Sequence, residues 1–99
     1  MRPNVLLDKC NWSLLRIFRV IVQEGSLNKA AIKLFLTQSA ISQSLKRLEE
    51  QIGETLIIRT GGKFYLTETG EIVFEASMMI YSQLRLCCTN LSVKGFSAI

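Results

Sequence analysis

Apolar positions follow a helical period over most of the chain, with one short stretch that reads as strand. Leu14, Leu15, Ile17, Phe18, Ile21 and Val22 recur at helical spacing, with Asn11 or Ser13 available as an N-cap and Gly25 after the last turn. They predict a helix from about Trp12 to Glu24. Ser26 is placed to cap a second, short helix, in which Leu27, Ala31 and Leu34 share a face. Thr37 caps a third, Gln38 to Ile52, whose stripe is Ile41, Leu45, Leu48 and Ile52, with Gln43, Lys46, Arg47 and Glu50 off it. Gly53 ends it.

Only Phe35, Leu36 and Thr37 separate the second helix from the third, the length of the tight turn in a helix-turn-helix. From Leu56 to Thr67, β-branched and aromatic residues flank Gly61-Gly62, which predicts two short strands and a hairpin turn, a wing beside the helices. Thr67 is placed to cap a long helix reaching about Leu91, with Glu68 and Glu71 at the positive end of its dipole. Its stripe is Ile72, Val73, Ala76, Met79, Ile80, Leu84 and Cys87, with Gln83 as the one polar member. So small a domain cannot cover a stripe of that length, so part of it is expected to meet a second chain. Ile80 and Leu84, a turn apart and beyond the wing, are each expected to bury there. The tail, residues 92–99, has no clear period and reads as a frayed end or the beginning of a hinge.

Composition narrows the chemistry. At 99 residues and 48% hydrophobic, the chain has room for one small core. Twelve Lys plus Arg against eight Asp plus Glu give a net charge of +4, which suits an anionic partner without naming it. There is no His, so the commonest general base and the commonest zinc ligand are missing. Ser and Cys nucleophiles have no imidazole to activate them, and the pattern shows no buried site for a Lys nucleophile or base. An enzyme is not expected. Cys10, Cys87 and Cys88 form neither an even disulfide framework nor a paired metal motif, and read as reduced thiols of a cytoplasmic protein. No apolar run approaches a membrane span and no leader pattern opens the chain.

Phe18 with Glu24-Gly25-Ser26, Ala30-Ala31-Ile32-Lys33-Leu34, Thr37-Gln38-Ser39-Ala40-Ile41-Ser42, Leu48-Glu49 with Ile52-Gly53, Leu56 with Arg59, and Leu66-Thr67 with Gly70 stand in one order and spacing. Together these stretches resemble the N-terminal domain of LysR-type transcriptional regulators. The resemblance covers about residues 12–91 and implies a mainly α winged helix-turn-helix, residues 1–66, followed by a linker and dimerisation helix, residues 67–91. It implies a homodimer on double-stranded DNA, with the third helix in the major groove and the wing on the flanking backbone or minor groove, at an interrupted palindrome with T at one end and A at the other. Three departures stand out. Ser39 occupies a first-turn position where the family usually has Pro, a favourable but dispensable residue there. Gly62, with Lys63 beside it, stands where the family's wing often repeats a basic residue. The family's effector domain, which senses small-molecule inducers, would follow the long helix, and this chain stops at Ile99. It is therefore either a naturally short relative or a cut fragment, and an end where the linker helix gives out favours the fragment.

The resemblance assigns base reading mainly to Gln38, Ser39, Ser42, Gln43 and Lys46, residue types suited to base edges or phosphate at the mouth of a recognition helix. Gln43 and Ser42 rank first for bases, and Lys46 is shared with phosphate. Arg47 reaches phosphate, pairs with Glu50 or sits at the flank. Ser26 and Thr37 are caps that also offer a helix N-terminus to phosphate. Arg59, with Thr60 and Lys63, belongs to the wing contact, while Lys29 and Lys33 read as solvated. Trp12, Phe18, Phe35, Leu36 and Phe64 fall at core-facing positions, and Tyr65 alternates outward from Phe64. Met78-Met79 reads as dimer packing. Cys87 and Cys88 project about 100° apart and cannot grip one metal together, although symmetry mates could approach across a dimer. No cofactor or metal is implied. A competing reading is an interaction module whose long helix pairs with full-length regulators without reading DNA itself.

Overall fold

The computed structural model describes residues 11–93, and side chains up to Leu91. The N-terminal arm with Cys10 and the tail beyond Val93 lie outside the described residues. Three helices come first: α1, Trp12–Glu24; α2, Leu27–Leu34; and α3, Gln38–Ile52. An antiparallel hairpin of β1, Ile57–Thr60, and β2, Lys63–Leu66, leads into α4, Glu68–Val93. This is a winged helix-turn-helix with a long C-terminal helix.

Each boundary has a local cause. The Asn11 side chain accepts from the Ser13 N–H at 2.9 Å and opens α1, so Asn11 is the cap of the two candidates. Ser26 accepts from the Lys29 N–H at 3.2 Å and Thr37 from the Ala40 N–H at 3.0 Å, opening α2 and α3. Gly25 and Gly53 close α1 and α3 in the left-handed conformation. Phe35 closes α2 in that same conformation, at φ 56°, where a side chain is strained. Gly61 and Gly62 both have positive φ, as the twist of a two-residue hairpin turn requires.

The three short helices pack around Phe18, Ile21, Ile41, Leu48 and Ile52, and the core continues through Leu56 at the foot of the wing to Val73 on α4. Two expectations are corrected here. Trp12, Phe35 and Leu36 are not core residues, being 61, 94 and 43% exposed, whereas Phe18 is fully buried and Phe64 half-buried. Trp12 is the first residue of α1 and stands off its buried stripe, and the left-handed turn at Phe35 swings the ring into solvent. On α4, Val73 is buried in the head's own core and cannot belong to a seam between chains, and Ile80 packs partly against that core. The reason is that α4 runs back along α1, so its first half covers the head. Met79 and Leu84 remain 70 and 61% exposed, and every residue from Tyr81 to Leu91 is exposed. The helix continues two residues past the expected end, to Val93.

Candidate nucleic-acid interface

A polar cleft of about 330 Å³ opens where the first turn of α2, the first residue of α3 and the tip of the wing converge. Ser26, Gln38, Arg59, Thr60 and Lys63 line it, five residues drawn from three elements. Register explains the wing's part. Arg59 pairs with Phe64 and shares the hairpin face of Ile57 and Leu66, so it lies on the side turned toward the helices. Asn28 also lines the cleft and went unnoticed in the sequence. Its only local signal was its place in the first turn of α2, beside a capped N-terminus whose backbone N–H groups suit an anion.

Beyond Gln38, the outer face of α3 carries Ser39, Gln43, Lys46 and Arg47, all exposed, with Ser42 half-buried. Ser39, Ser42, Gln43 and Lys46 recur at three- and four-residue intervals and share one face. Arg47 lies about 100° round from Lys46, and no ion pair joins it to Glu50 among the described residues. Thr37 is exposed; its hydroxyl oxygen accepts the Ala40 N–H of the cap, and its O–H is left to donate. Lys33 pairs with Glu24 at 3.4 Å.

Two residues outside this surface hold it in shape. The Glu49 carboxylate on α3 accepts the Leu56 N–H at 2.7 Å and the Ile57 N–H at 3.3 Å, tying the recognition-type helix to the foot of β1. The Thr67 hydroxyl donates to the Thr55 carbonyl at 2.7 Å and accepts the Gly70 N–H at 2.9 Å, fastening the start of α4 to the same turn. Among the described residues there is no group of three or more Cys, Asp or Glu that could hold a metal ion, and no helix long and apolar enough to cross a membrane.

Residues 12–71 match the family described as bacterial regulatory helix-turn-helix protein, lysR family. The chain belongs to the lysR family. Over 68 residues it is 47% identical to the HTH-type transcriptional activator CmpR of Synechocystis, covering 69% of this chain and 22% of CmpR. The BenM DNA-binding domain, in its complex with catB site 1 DNA, superposes with a TM-score of 0.79 at 25% identity, over 88% of this chain and 98% of that one. Full-length LysG of Corynebacterium glutamicum with bound effector Arg superposes at 0.77 and 31% identity, over 85% of this chain and 29% of that one. The chain thus spans less than a third of the length of the curated relatives it matches.

A second concavity of this lysR-family chain is different in character. It is an apolar groove of about 800 Å³ between α1 and α4, walled by Trp12, Leu15, Ile80 and Leu84 and edged by Arg16 and Arg85. Of the stripe expected to meet another chain, Ile72, Met79, Gln83, Leu84 and Cys87 are exposed, Ala76 and Ile80 are half-buried, and Val73 is withdrawn into the core.

Proposed function

We propose that this chain binds double-stranded DNA sequence-specifically as a homodimer and thereby regulates transcription. The observation that carries this reading is the cleft in which Ser26, Gln38, Arg59, Thr60 and Lys63 converge beside the exposed polar face of α3. Phosphate oxygens fit such a cleft: the α2 N-terminus supplies oriented N–H groups and the wing supplies two cations. With the backbone held there, the first two turns of α3 enter the major groove. Gln43 and Ser42 face base edges, Gln38, Ser39 and Lys46 flank them, and Thr37 and Arg47 reach the adjoining phosphates. The wing lies on the neighbouring backbone or minor groove. Family membership and the likeness to a domain whose structure is a DNA complex support the same assignment.

The dimer rests on the exposed stripe of α4, Met79, Gln83, Leu84 and Cys87. A two-fold pairing of this stripe presents two α3 helices to two half-sites. Catalysis, cofactor and membrane have no part in this reading, its setting is the cytoplasm, and an inducer would require an effector domain joined to α4. The test is selection of bound fragments from genomic DNA by the purified chain. Enrichment of an interrupted palindrome with T at one end and A at the other supports the reading. Retention without enrichment of any sequence overturns sequence-specific binding, and no retention leaves the long helix as a module for pairing with other regulators.

A further inference from the structure

We infer that Arg19 and Tyr81 are positioning residues that set the angle at which α4 leaves the head, and through it the spacing between half-sites the dimer accepts. The inference rests on the dimer reading above. Arg19 stands over the Tyr81 ring with its guanidinium carbon 3.9 Å from the ring centre. The same guanidinium donates to Gln23 Oε1 at 2.8 Å, and Gln23 Nε2 donates to Met78 Sδ at 3.4 Å. Arg19 and Gln23 are one turn apart on α1, and Tyr81 and Met78 are nearly one turn apart on α4, joined in reverse order. They form a closed four-residue clasp between antiparallel helices. The clasp stands where α4 leaves the packed core: Ser77 and Ile80 still pack on the head, and from Tyr81 to Leu91 every residue of α4 is exposed, with Leu84, Arg85 and Cys88 facing α1 only across the open apolar groove.

Position at the root of a lever gives a weak contact leverage. From Tyr81 to Leu91 the helix extends about 15 Å, so a swing of about 10° at the clasp displaces its end by about 2.6 Å, and two symmetric arms together by about 5 Å, against a rise of about 3.4 Å per base pair. The apolar groove is an open concavity of about 800 Å³ rather than a packed contact, so it offers little resistance to such a swing. A guanidinium held by Gln23 and stacked on a ring is directional. Arg19 and Tyr81 line the apolar groove, but neither lines the polar cleft and neither belongs to the exposed stripe of Met79, Gln83, Leu84 and Cys87 assigned to the seam.

The experiment takes a two-part duplex selected by the purified chain and varies its central spacer one base pair at a time, alongside a duplex carrying one half-site. The unaltered chain is expected to lose about tenfold or more in affinity for each base pair added or removed. Arg19→Met and Tyr81→Leu should lose less than about threefold across the same series, with half-site affinity and dimerisation unchanged, while Tyr81→Phe, which keeps the ring, behaves as the unaltered chain. An unchanged spacer profile in dimeric Arg19→Met and Tyr81→Leu overturns the inference. So does loss of half-site binding, helical content or dimerisation in those variants, because the pair would then serve the head or the seam. An unaltered chain that selects no two-part site defeats the dimer reading itself, and the inference with it, a result distinct from intact selection with unmoved variants.

Discussion

At the scale of single residues, the surface described here depends on close approaches behind it. Gly70 lies in the first turn of α4 against the chain entering β1. A Cβ there would collide with the Leu56 carbonyl oxygen and stand 3.0 Å from its carbon and 3.2 Å from Leu66 Cδ2. Backbone on one side and a packed side chain on the other leave little room to yield. Gly70→Ala is expected to cost about 2–4 kcal/mol, measured by urea unfolding with circular dichroism. Glu49 acts by bonding rather than space. Glu49→Ala leaves the Leu56 and Ile57 N–H groups without their carboxylate and should cost about 2 kcal/mol in the same assay, with Glu49→Gln, which keeps an acceptor, costing less. Neither role was legible in the sequence beyond a family match, because each joins residues that only the folded chain brings together. Ser26 and Thr37 were legible as caps because a cap's partner lies within three residues.

Elements followed the same division. The helices, the hairpin over Gly61-Gly62 and the capped start of α4 rest on short-range periodicity and turn chemistry, and all stand where the pattern placed them. Burial did not follow from periodicity alone. Phe35 is an apolar residue at a helix end, yet its left-handed backbone turns it outward. Exchange for Asn, which tolerates that conformation, should raise stability by about 0.5–1 kcal/mol, seen as a higher unfolding midpoint, since a ring 94% exposed has little packing to lose. The long helix divides likewise. Its stripe reads as one continuous face, but α1 covers the first half. Leu84→Asp should therefore weaken dimerisation and palindrome binding while half-site affinity and the head's unfolding midpoint hold. Ile80→Asp places a charge against the core and should lower that midpoint by several degrees. Sedimentation and thermal unfolding of the two variants separate these outcomes.

For the molecule as a whole, a net charge of +4 supplies a general attraction to a polyanion, and the proposed function divides the labour within it between the cleft and the face of α3. Arg59, at the cleft, should act on every duplex alike. Arg59→Ala is expected to weaken binding uniformly and to reduce the slope of log affinity against log salt by about one unit. Gln43, on the exposed face, should act on sequence instead. The convergence of Ser26, Gln38 and Arg59 was only partly legible, because spacing places each on its element but the register of β1 on β2 and the packing of the wing bring them to one cleft. The most direct measurement is the affinity of the unaltered chain and of Gln43→Ala for the selected duplex and for a scrambled one, at one fixed salt concentration. The account predicts strong preference for the selected duplex, and a loss of about 1–3 kcal/mol there for Gln43→Ala with little change on the scrambled duplex. Equal affinity of the unaltered chain for both duplexes, or a base preference that survives Gln43→Ala intact, would contradict it.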